Sequence, residues 1–494
     1  MSKFNKAVLI SSAQVEPNRP PPGLGFLAGV CDVCNIEYTP YDLNMYILKE
    51  LGEDDWTRLY HYTSQFQQLN TKLEQLMDSV LNSFVDKIKH HDADIIIITV
   101  LTYWQNYWCQ RLLEKIKEKS ISAKILIGGS GVSVEHSDKK SFAKFLCDQD
   151  LVDYYILGEG DLALVDLLNG KQVAGVNNKH SKFETWAPQI DDLDSIPLPS
   201  YKKLPVKNYQ SYSGSGGIAI TGSRGCVRRC TFCDVGNIWK KFRFRSASHI
   251  VDEIKKHYYE TGELNFFFTD SLINGSLKTF VNFMEKVVQL QQIDSVFEQI
   301  SYTSQFIVRN PKQHTEHMFE LMKQTGYSNV QIGVETASDK VRYHMQKKFT
   351  TADLDYHMEM SNKYGLRNTL MMMVGYPTET LDDYQETLDL VRRYQKYLLN
   401  GTIIDLNEAY PLTILKNTPL YNMAHELGIE VNDSYGNMHW VSKENPDLTV
   451  KERWRRFINF HRELILLGYP RPAESQILYE QYLTTVKSLK EIEV

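Results

Sequence analysis

Short apolar runs alternate with longer stretches of helical spacing in the first part of the chain. The apolar runs predict β-strands at Ala7–Ser11, Ile36–Tyr41, Asp94–Leu101, Lys124–Ile127 and Tyr154–Leu157. Apolar residues three or four positions apart predict helices at Leu24–Val33, over most of Tyr46–Lys89 and at Gln105–Lys119. Two strands lead into glycines, at Gly128-Gly129 and Gly158-Glu159-Gly160. This order of strand, glycine and helix predicts a doubly wound α/β sheet, whose ligand crevice lies at the carboxyl ends of the strands.

A second series of strands and helices runs from Ile218 to about Leu412. Before it, four prolines among Asp, Ser and Asn predict a linker. About six βα repeats, with their strand ends on one side, predict a full or partial parallel barrel. Helical spacing over Glu444–Val494 predicts a helical cap. We therefore predict a Rossmann-like domain at 1–175, a linker at 176–212, a βα barrel at 213–412 and a mostly helical extension at 413–494.

Length and composition exclude several classes of protein. A chain of 494 residues exceeds a single hydrophobic core, and 42% apolar with 23% charged residues is an ordinary globular balance. The apolar run Ile95–Leu101 is far shorter than the roughly 20 residues that span a bilayer. The run Ala7–Ile10 is too short for a secretory signal. We expect a soluble, cytoplasmic protein with no membrane partner.

Charge and cysteine content narrow the possibilities further. The 55 Lys and Arg against 61 Asp and Glu give a net charge of −6, which argues against nucleic acid as a partner. Seven cysteines are too few for a disulfide scaffold, and clustered cysteines in a reducing compartment more often serve metals or redox chemistry. We interpret the four scattered ones as buried thiols: Cys31, Cys34, Cys109 and Cys147.

The other three cysteines lie together in one short loop. They are Cys226, Cys230 and Cys233, separated by three and then two residues, directly after a strand and Gly225. Such a loop can bring three thiolates to one centre. A four-iron cluster normally takes one cysteine per iron, so three ligands leave one iron open. The alternatives are a zinc site, which wants a fourth ligand although the first downstream histidine is His249, or three unrelated thiols.

The spacing Cys226-x3-Cys230-x2-Cys233, with Phe232 before the last cysteine, resembles the radical S-adenosylmethionine (SAM) superfamily. Later landmarks agree with this resemblance and follow in order: Phe268-Thr269-Asp270-Ser271, Gly333-Val334-Glu335-Thr336, Gly375-Tyr376-Pro377-Thr378-Glu379-Thr380 and Asn417-Thr418-Pro419-Leu420-Tyr421. The resemblance implies a cluster held by the three cysteines, which cleaves SAM reductively to a 5′-deoxyadenosyl radical. It also implies an electron donor such as flavodoxin or ferredoxin.

Four further residues take roles from this resemblance. Phe232 is expected near the adenine, Asp270 and Glu335 at the methionyl or ribose part of SAM, and Gly375 where backbone approaches the adenine. Each of the first three has a simpler alternative: packing for Phe232, a helix N-cap over 271–274 for Asp270, and a solvated strand-end carboxylate for Glu335. No catalytic side chain is identified, and the substrate is not readable from the sequence.

The N-terminal part resembles the cobalamin-binding domains attached to such enzymes. The resemblance rests on Pro20–Val30, Tyr41-Asp42-Leu43, Ile127–Val132 and Gly158–Asp161. It implies that Thr99, Gly128, Gly129 and Ser130 contact cobalamin. The Asp-x-His-x-x-Gly segment that supplies a cobalt ligand in many such domains does not occur in the sequence. Either cobalamin binds without a histidine, or the fold persists without the cofactor.

Two groups of side chains near these sites can each be interpreted in two ways. Four aromatic residues after the central strand could cover a corrin face or pack against the sheet: Tyr103, Trp104, Tyr107 and Trp108. Basic residues surround the cysteine loop, and they could offset the charge of a cluster or bind a substrate anion: Arg224, Arg228, Arg229, Lys240, Lys241, Arg243 and Arg245.

The expected function is cobalamin-dependent methyl transfer to an unactivated carbon. One alternative is a radical rearrangement, cyclisation or oxidation without methyl transfer. Another is a non-catalytic redox sensor that holds the cluster. A tRNA methylthiotransferase is disfavoured, because the sequence has neither the second three-cysteine N-terminal pattern nor a C-terminal RNA-binding module.

Overall fold

The computed structural model describes residues 4–15, 17–64, 71–137, 140–213, 217–408, 411–431 and 439–470. The chain divides into two compact units, one formed by Met1–Ile220 with Asp252–Asn265 and one by Thr221–Val251 with Phe266–Val494. This division differs from the predicted ranges, because 176–212 packs into the first unit. In that segment Tyr201 and Tyr209 are buried, and the Tyr209 hydroxyl donates to Asp42 Oδ2 at 2.9 Å. The prolines of the segment mark turns, but its tyrosines anchor it.

The first unit is built on a six-stranded sheet with the order β2-β1-β3-β4-β7-β8. Its strands are β1 (Lys6–Ser11), β2 (Glu37–Asp42), β3 (Ile95–Thr99), β4 (Lys124–Gly128), β7 (Tyr154–Ile156) and β8 (Val176–Asn177); β5 (Glu135–Ser137) and β6 (Lys140–Ser141) form a separate antiparallel pair. All pairings from β2 to β7 are parallel, and β8 is antiparallel. The strand order reverses between β1 and β3, so the ligand crevice of this doubly wound sheet lies at their carboxyl ends.

The helices of the first unit follow the predicted apolar spacing. They are α1 (Pro22–Cys34), α2 (Leu43–Leu51), α3 (Glu53–Ser64), α4 (Thr71–Lys89), α5 (Asn106–Glu118), α6 (Phe142–Asp148), α7 (Gly160–Leu168) and α8 (Val206–Ser213). The predicted helical stretch Tyr46–Lys89 contains three helices rather than one, and Gly52 with φ 78° ends α2. The predicted buried thiols are confirmed: Cys31, Cys34, Cys109 and Cys147 are all free and buried.

The second sheet also has six strands, in the order β16-β15-β14-β13-β12-β9. Its strands are β9 (Ile218–Ile220), β12 (Asn265–Phe268), β13 (Ser301–Phe306), β14 (Tyr327–Glu335), β15 (Asn368–Met372) and β16 (Ile403–Glu408); β10 (Ser223–Arg224) and β11 (Arg243–Phe244) form an antiparallel pair. The strands from β13 to β16 pair in parallel. Because β9 and β16 are the two edges, the predicted barrel is a partial one.

Helices connect these strands, and a mixed extension follows them. The helices are α9 (Val235–Ile238), α10 (Ala247–Thr261), α11 (Leu277–Ile293), α12 (Glu316–Gln324), α13 (Asp339–His344), α14 (Thr351–Tyr364), α15 (Leu381–Leu399), α16 (Pro419–Asn422) and α17 (Val450–Leu467). The extension predicted as mostly helical also contains an antiparallel pair, β17 (Ile429–Val431) and β18 (Trp440–Ser442), while 471–494 lies outside the described residues. Within the described ranges, no helix is both long and apolar enough to cross a membrane.

Candidate functional site

The three clustered cysteines lie in a loop whose base is closed by the β10–β11 pair. Gly225 has φ 90°, and a Cβ there would lie 2.6 Å from the Lys241 carbonyl oxygen, so only glycine fits this turn. The backbone N–H of Arg228 donates to Cys226 Sγ at 3.3 Å. Cys226, Cys230 and Cys233 are half-buried free thiols that line one cavity of about 290 Å³. The structure therefore brings together the three residues predicted as cluster ligands.

The electrostatic surroundings of the three thiols come mainly from burial and from one lysine. Burial raises the pKa of Cys226 and Cys233, and it raises the pKa of Cys230 to about 11. The nearby Lys347 ammonium opposes this rise in the pKa of all three thiols. A bound metal would displace the thiol protons and hold the sulfurs as thiolates.

Phe232 packs as its simpler alternative predicts, and it also lines the cavity, while the predicted proximity to adenine stays a prediction. Its ring lines the cavity and also packs against the hydrophobic cluster that contains Met345 and Leu420. The backbone around it is fixed, because Thr231 N–H donates to Met345 O at 3.1 Å and Leu420 N–H donates to Thr231 O at 2.7 Å. The ring is therefore held in place beside the last cysteine.

Asp270 is a buried carboxyl group at the end of β12, and it lines the same cavity. Its Oδ2 accepts the Gly222 N–H at 2.8 Å, which ties β12 to the start of the cysteine loop. Burial raises the pKa of Asp270 to about 7, although hydrogen bonds from Ser223 and Gly222 oppose the rise. The helix N-cap alternative is wrong, because residues 271–274 do not form a helix.

Glu335 ends β14 with φ 68°, at an irregularity in the pairing with β15. Its Oε1 lies 2.8 Å from Lys347 Nζ, and both side chains are only 12% exposed. A Cβ on Gly333 would lie 2.6 Å from Glu335 Oε1 and 2.8 Å from Lys347 Nζ, so glycine makes room for this ion pair. The solvated-carboxylate alternative is therefore wrong, because the Glu335 side chain is only 12% exposed and is paired with Lys347 inside the cavity.

Sequence reasoning missed Lys347. It lies in the turn between α13 and α14, between two residues with positive φ, Gln346 and Lys348. Its Nζ is 5.9 Å from the centroid of the Phe232 ring. A lysine in a short polar turn carries no periodic or motif signal in a single sequence, so only the fold shows that it enters the cavity.

The strands of the second sheet contribute two polar side chains to the cavity. Gln305, Gln331 and the apolar Met371 line it from three neighbouring strands. Gln305 pairs in register with Gln331, Gln331 with Thr369, and Thr369 with Asp405. Because register partners in a sheet point to the same face, a row of polar side chains runs across β13 to β16.

Gly375 has a packing role that the sequence did not predict. It is not among the residues that line the cavity. It has φ 81°, and a Cβ would lie 2.7 Å from Arg453 Cδ of α17. Its N–H donates to Glu379 Oε1 at 3.0 Å. The missing side chain thus accommodates α17, and the predicted approach to adenine stays a prediction.

In the first unit, the four predicted ligand contacts lie at the carboxyl edge of the sheet. Thr99 pairs in register with Gly128, and Gly129 and Ser130 follow directly. Gly129 has φ 104°, and its Cβ would lie 2.3 Å from Val100 O, so glycine is required here by the neighbouring loop. At Gly128 a Cβ would meet nothing nearer than 3.7 Å. The Ser130 hydroxyl donates to Leu101 O and keeps its lone pairs for a ligand.

The aromatic residues after β3 fall into two groups. Tyr103, Trp104 and Tyr107 are 43%, 36% and 37% exposed, and Leu101 beside them is 57% exposed. Trp108 is buried, and its Nε1–H donates to Gln14 Oε1 at 2.9 Å. The packing interpretation is therefore correct for Trp108 and wrong for the other three. An exposed apolar surface thus borders the crevice of the first sheet.

In the described part of the chain, no group of three or more His, Cys, Asp or Glu side chains is placed so that it could hold one metal ion. A four-iron cluster makes a different demand, since each thiolate binds its own iron. The three cysteines, the room beside them and the neighbouring cations fit such a cluster.

Two histidines of the first unit lie away from the predicted cobalamin contacts. His90 and His91 lie between α4 and the amino end of β3, at the edge opposite Thr99.

Residues 220–391 match the family profile described as the radical SAM superfamily, and this part of the chain belongs to that family. This match identifies the chain as an enzyme with a radical SAM domain. An uncharacterized methyltransferase of Pyrococcus horikoshii is 26% identical over 329 residues, which is 64% of this chain and 68% of the relative. Matches to other curated relatives span as little as about half of their length.

Two solved structures have folds similar to that of this chain. One is TsrM from Kitasatospora setae, a radical SAM methyltransferase solved with cobalamin and a [4Fe-4S] cluster. Its TM-score is 0.64 at 16% identity, over 96% of this chain and 92% of TsrM. The other is OxsB, a cobalamin-dependent radical SAM enzyme, with a TM-score of 0.66 at 17% identity, over 98% of this chain and 71% of OxsB. At these identities the likeness shows the fold, which confirms the predicted fold class.

Proposed function

We propose that the protein is a cobalamin-dependent radical SAM methyltransferase that acts on an unactivated carbon of an unidentified substrate. The single observation that carries the proposal is the cavity that joins Cys226, Cys230 and Cys233 to Phe232, Asp270 and Glu335. The proposal includes an electron donor such as flavodoxin or ferredoxin. It also includes a cytoplasmic location, because reducing conditions keep cluster thiols available.

The three cysteines would hold the cluster and leave one iron open to SAM. When bound, the cluster and SAM supply one-electron cleavage of a carbon–sulfur bond. Phe232 would border the adenosine. Glu335 and Lys347 present a carboxylate and an ammonium to the polar end of SAM, while Asp270 holds the cysteine loop against β12. The protein contributes orientation and exclusion of water, and no side chain is assigned to proton transfer.

Cobalamin would bind at the carboxyl edge of the first sheet. Thr99 and Ser130 offer hydroxyl groups there, and Gly128 leaves room beside them. The exposed surface of Leu101, Tyr103, Trp104 and Tyr107 fits a large, mostly apolar macrocycle. When bound, cobalamin supplies a carrier for the methyl group. The support consists of this surface together with the architecture shared with the cobalamin-containing structures.

The test follows the methyl group of SAM. Anaerobically reconstituted protein with cobalamin, reductant and methyl-labelled SAM is incubated with a small-molecule and peptide extract, and products are analysed by mass spectrometry. Methyl transfer predicts a product that carries the label and that is lost in Cys230→Ser but kept in Cys34→Ala, a cysteine far along the chain from the loop. An unlabelled product with 5′-deoxyadenosine would support rearrangement, cyclisation or oxidation instead. A reducible cluster without any SAM cleavage would support a redox sensor.

A further inference from the structure

The Lys347–Glu335 ion pair is placed where its charges can act on a cluster. Both residues line the cavity that contains the three cysteines. Their charged atoms are 2.8 Å apart, and each side chain is 12% exposed. Lys347 Nζ is also within 5.9 Å of the Phe232 ring, which directly precedes Cys233. A cation and an anion of low exposure therefore lie together beside the proposed cluster ligands.

The other charges that face this pair are few. Arg228 and Asp270 are the remaining charged or titratable side chains, apart from the cysteines, that line the cavity in the described part of the chain. Burial lowers the pKa of Lys347, but Glu335 and then Cys230 raise it above the usual lysine value, so the ammonium stays charged at neutral pH. Lys347 and Glu335 thus place opposite charges in the cavity that the three cysteine sulfurs line.

The charges of Lys347 and Glu335 should also act on an electron that is added to the cluster. One-electron reduction adds one negative charge to a cluster, and the potential of iron–sulfur clusters depends on net charge and surroundings. A buried cation stabilises the added charge, and a buried carboxylate destabilises it, more strongly than either would in water. The side chains can therefore shift the potential without touching an iron.

We propose that Lys347 and Glu335 tune the reduction potential of the cluster held by Cys226, Cys230 and Cys233, with Lys347 raising it and Glu335 lowering it. This inference rests on the proposed function, since it needs the cluster. The redox step is the gain of one electron from a low-potential one-electron donor, and no bond forms or breaks in it. In this step both side chains act only through their charges.

The experiment is a redox titration of the reconstituted full-length protein without SAM, followed by electron paramagnetic resonance (EPR). Lys347→Met should weaken the electron affinity of the cluster at least tenfold, which is a shift of about 59 mV to more negative potential for a one-electron couple. Glu335→Gln should shift the potential in the opposite direction, and Lys347→Arg should stay near the wild type. The matched control is Lys340→Met, because Lys340 forms a similar 3.0 Å pair with Asp383 but is 53% exposed.

A merely structural role would not give shifts of opposite sign. The proposal is overturned if Lys347→Met keeps the wild-type potential, or if Lys347→Met and Glu335→Gln move it in the same direction. If Lys347→Met does not hold the cluster, Glu335→Gln decides, and an unchanged or more negative potential in that variant overturns the proposal. Wild-type protein that binds no cluster refutes the proposed function itself, a result distinct from a cluster whose potential ignores both residues.

Discussion

Asp270 carries a carboxyl group whose protonation is linked to folding. Burial raises its pKa to about 7 in the folded protein, so its neutral form is favoured there. A raised pKa contributes stability that is present at low pH and lost as the pH rises through the folded value. We therefore expect Asp270→Asn, which is neutral at every pH and keeps an acceptor for Gly222 N–H, to gain stability over the wild type by roughly 2–4 kcal/mol between pH 4 and pH 8. Urea unfolding across this range measures it.

The control for this pH dependence is Asp389→Asn, since Asp389 is 62% exposed on α15. This substitution measures how the free energy of unfolding responds to an exposed carboxylate-to-amide change across the same range. A constant difference for Asp270→Asn would contradict the assignment of a raised pKa.

Gly333 tests the space reserved for the Lys347–Glu335 pair. The Cβ of Gly333→Ala would meet the far ends of these two flexible side chains at 2.8 and 2.6 Å, so the pair should separate while the backbone stays in place. We expect at least tenfold weaker SAM binding to the reconstituted protein by equilibrium dialysis, with a nearly unchanged thermal midpoint. Gly160→Ala, in the first turn of α7, should leave SAM affinity unchanged. Equal affinities in all three proteins would exclude the pair from the SAM site.

Among the individual site residues, those that belong to spaced motifs could be predicted from the sequence. These residues meet in one cavity because each lies at the end of a strand of the same sheet or in the loop at the edge of that sheet: the three cysteines, Phe232, Asp270 and Glu335. The partner of Glu335 was not predictable, because Lys347 reaches the cavity from a turn with left-handed backbone conformations. For Gly375 the neighbour is Arg453, and contacts between residues so distant in sequence are not encoded in local patterns.

Among the elements, α17 is held against the loop after β15 by a buried ion pair. Arg456 Nη1 donates to Glu379 Oε1 at 2.9 Å, and these side chains are 5% and 2% exposed. Glu379 also accepts the Gly375 N–H, so the pair fixes the loop that contains both residues. The last described helix therefore supports the strand ends of the second sheet rather than covering them loosely.

Removing this cation should destabilise the second unit. Arg456→Met leaves the Glu379 carboxylate buried without its partner, which costs about 3–5 kcal/mol. Adding Glu379→Gln should recover part of the loss, because the uncompensated charge disappears. Chemical denaturation measures both, and Arg455→Met, whose side chain is 52% exposed, should cost under about 1 kcal/mol. A small effect of Arg456→Met would show that α17 is held by apolar packing instead.

The loop after β3 carries the surface proposed for cobalamin. Tyr103→Ala should weaken cobalamin binding about tenfold with little loss of stability, because the ring is 43% exposed. Trp108→Ala should instead cost about 3–5 kcal/mol of stability, because that side chain is buried. Absorbance titration with cobalamin and thermal unfolding separate the two effects. Unchanged cobalamin affinity in Tyr103→Ala would remove this surface from the proposal.

Elements were predictable where apolar periodicity was strong, as in β3 and α5. The packing of 176–212 into the first unit was not predictable. Prolines predict where the chain turns, but the burial of Tyr201 and Tyr209 decides whether the segment packs. Their burial depends on partners such as Asp42, far away in the sequence.

For the whole molecule, the two series of strands and helices could be predicted from the sequence, because parallel α/β architecture repeats the same local pattern. The first series becomes a doubly wound sheet, and the second becomes a partial barrel. The exact division into units was not readable, since Asp252–Asn265 joins the first unit although it lies within the second series. The substrate was not readable either, because single-sequence patterns do not identify what side chains from several strands bind together.

The central claim is that three cysteines hold a four-iron cluster with one iron open to SAM. The most direct measurement is EPR spectroscopy of the reconstituted, dithionite-reduced protein before and after addition of SAM. We expect the signal of one reduced four-iron cluster, a change in that signal when SAM is added, and loss of the signal in Cys226→Ser, Cys230→Ser and Cys233→Ser. A protein without this signal, or a signal that ignores both SAM and the cysteine substitutions, would contradict it.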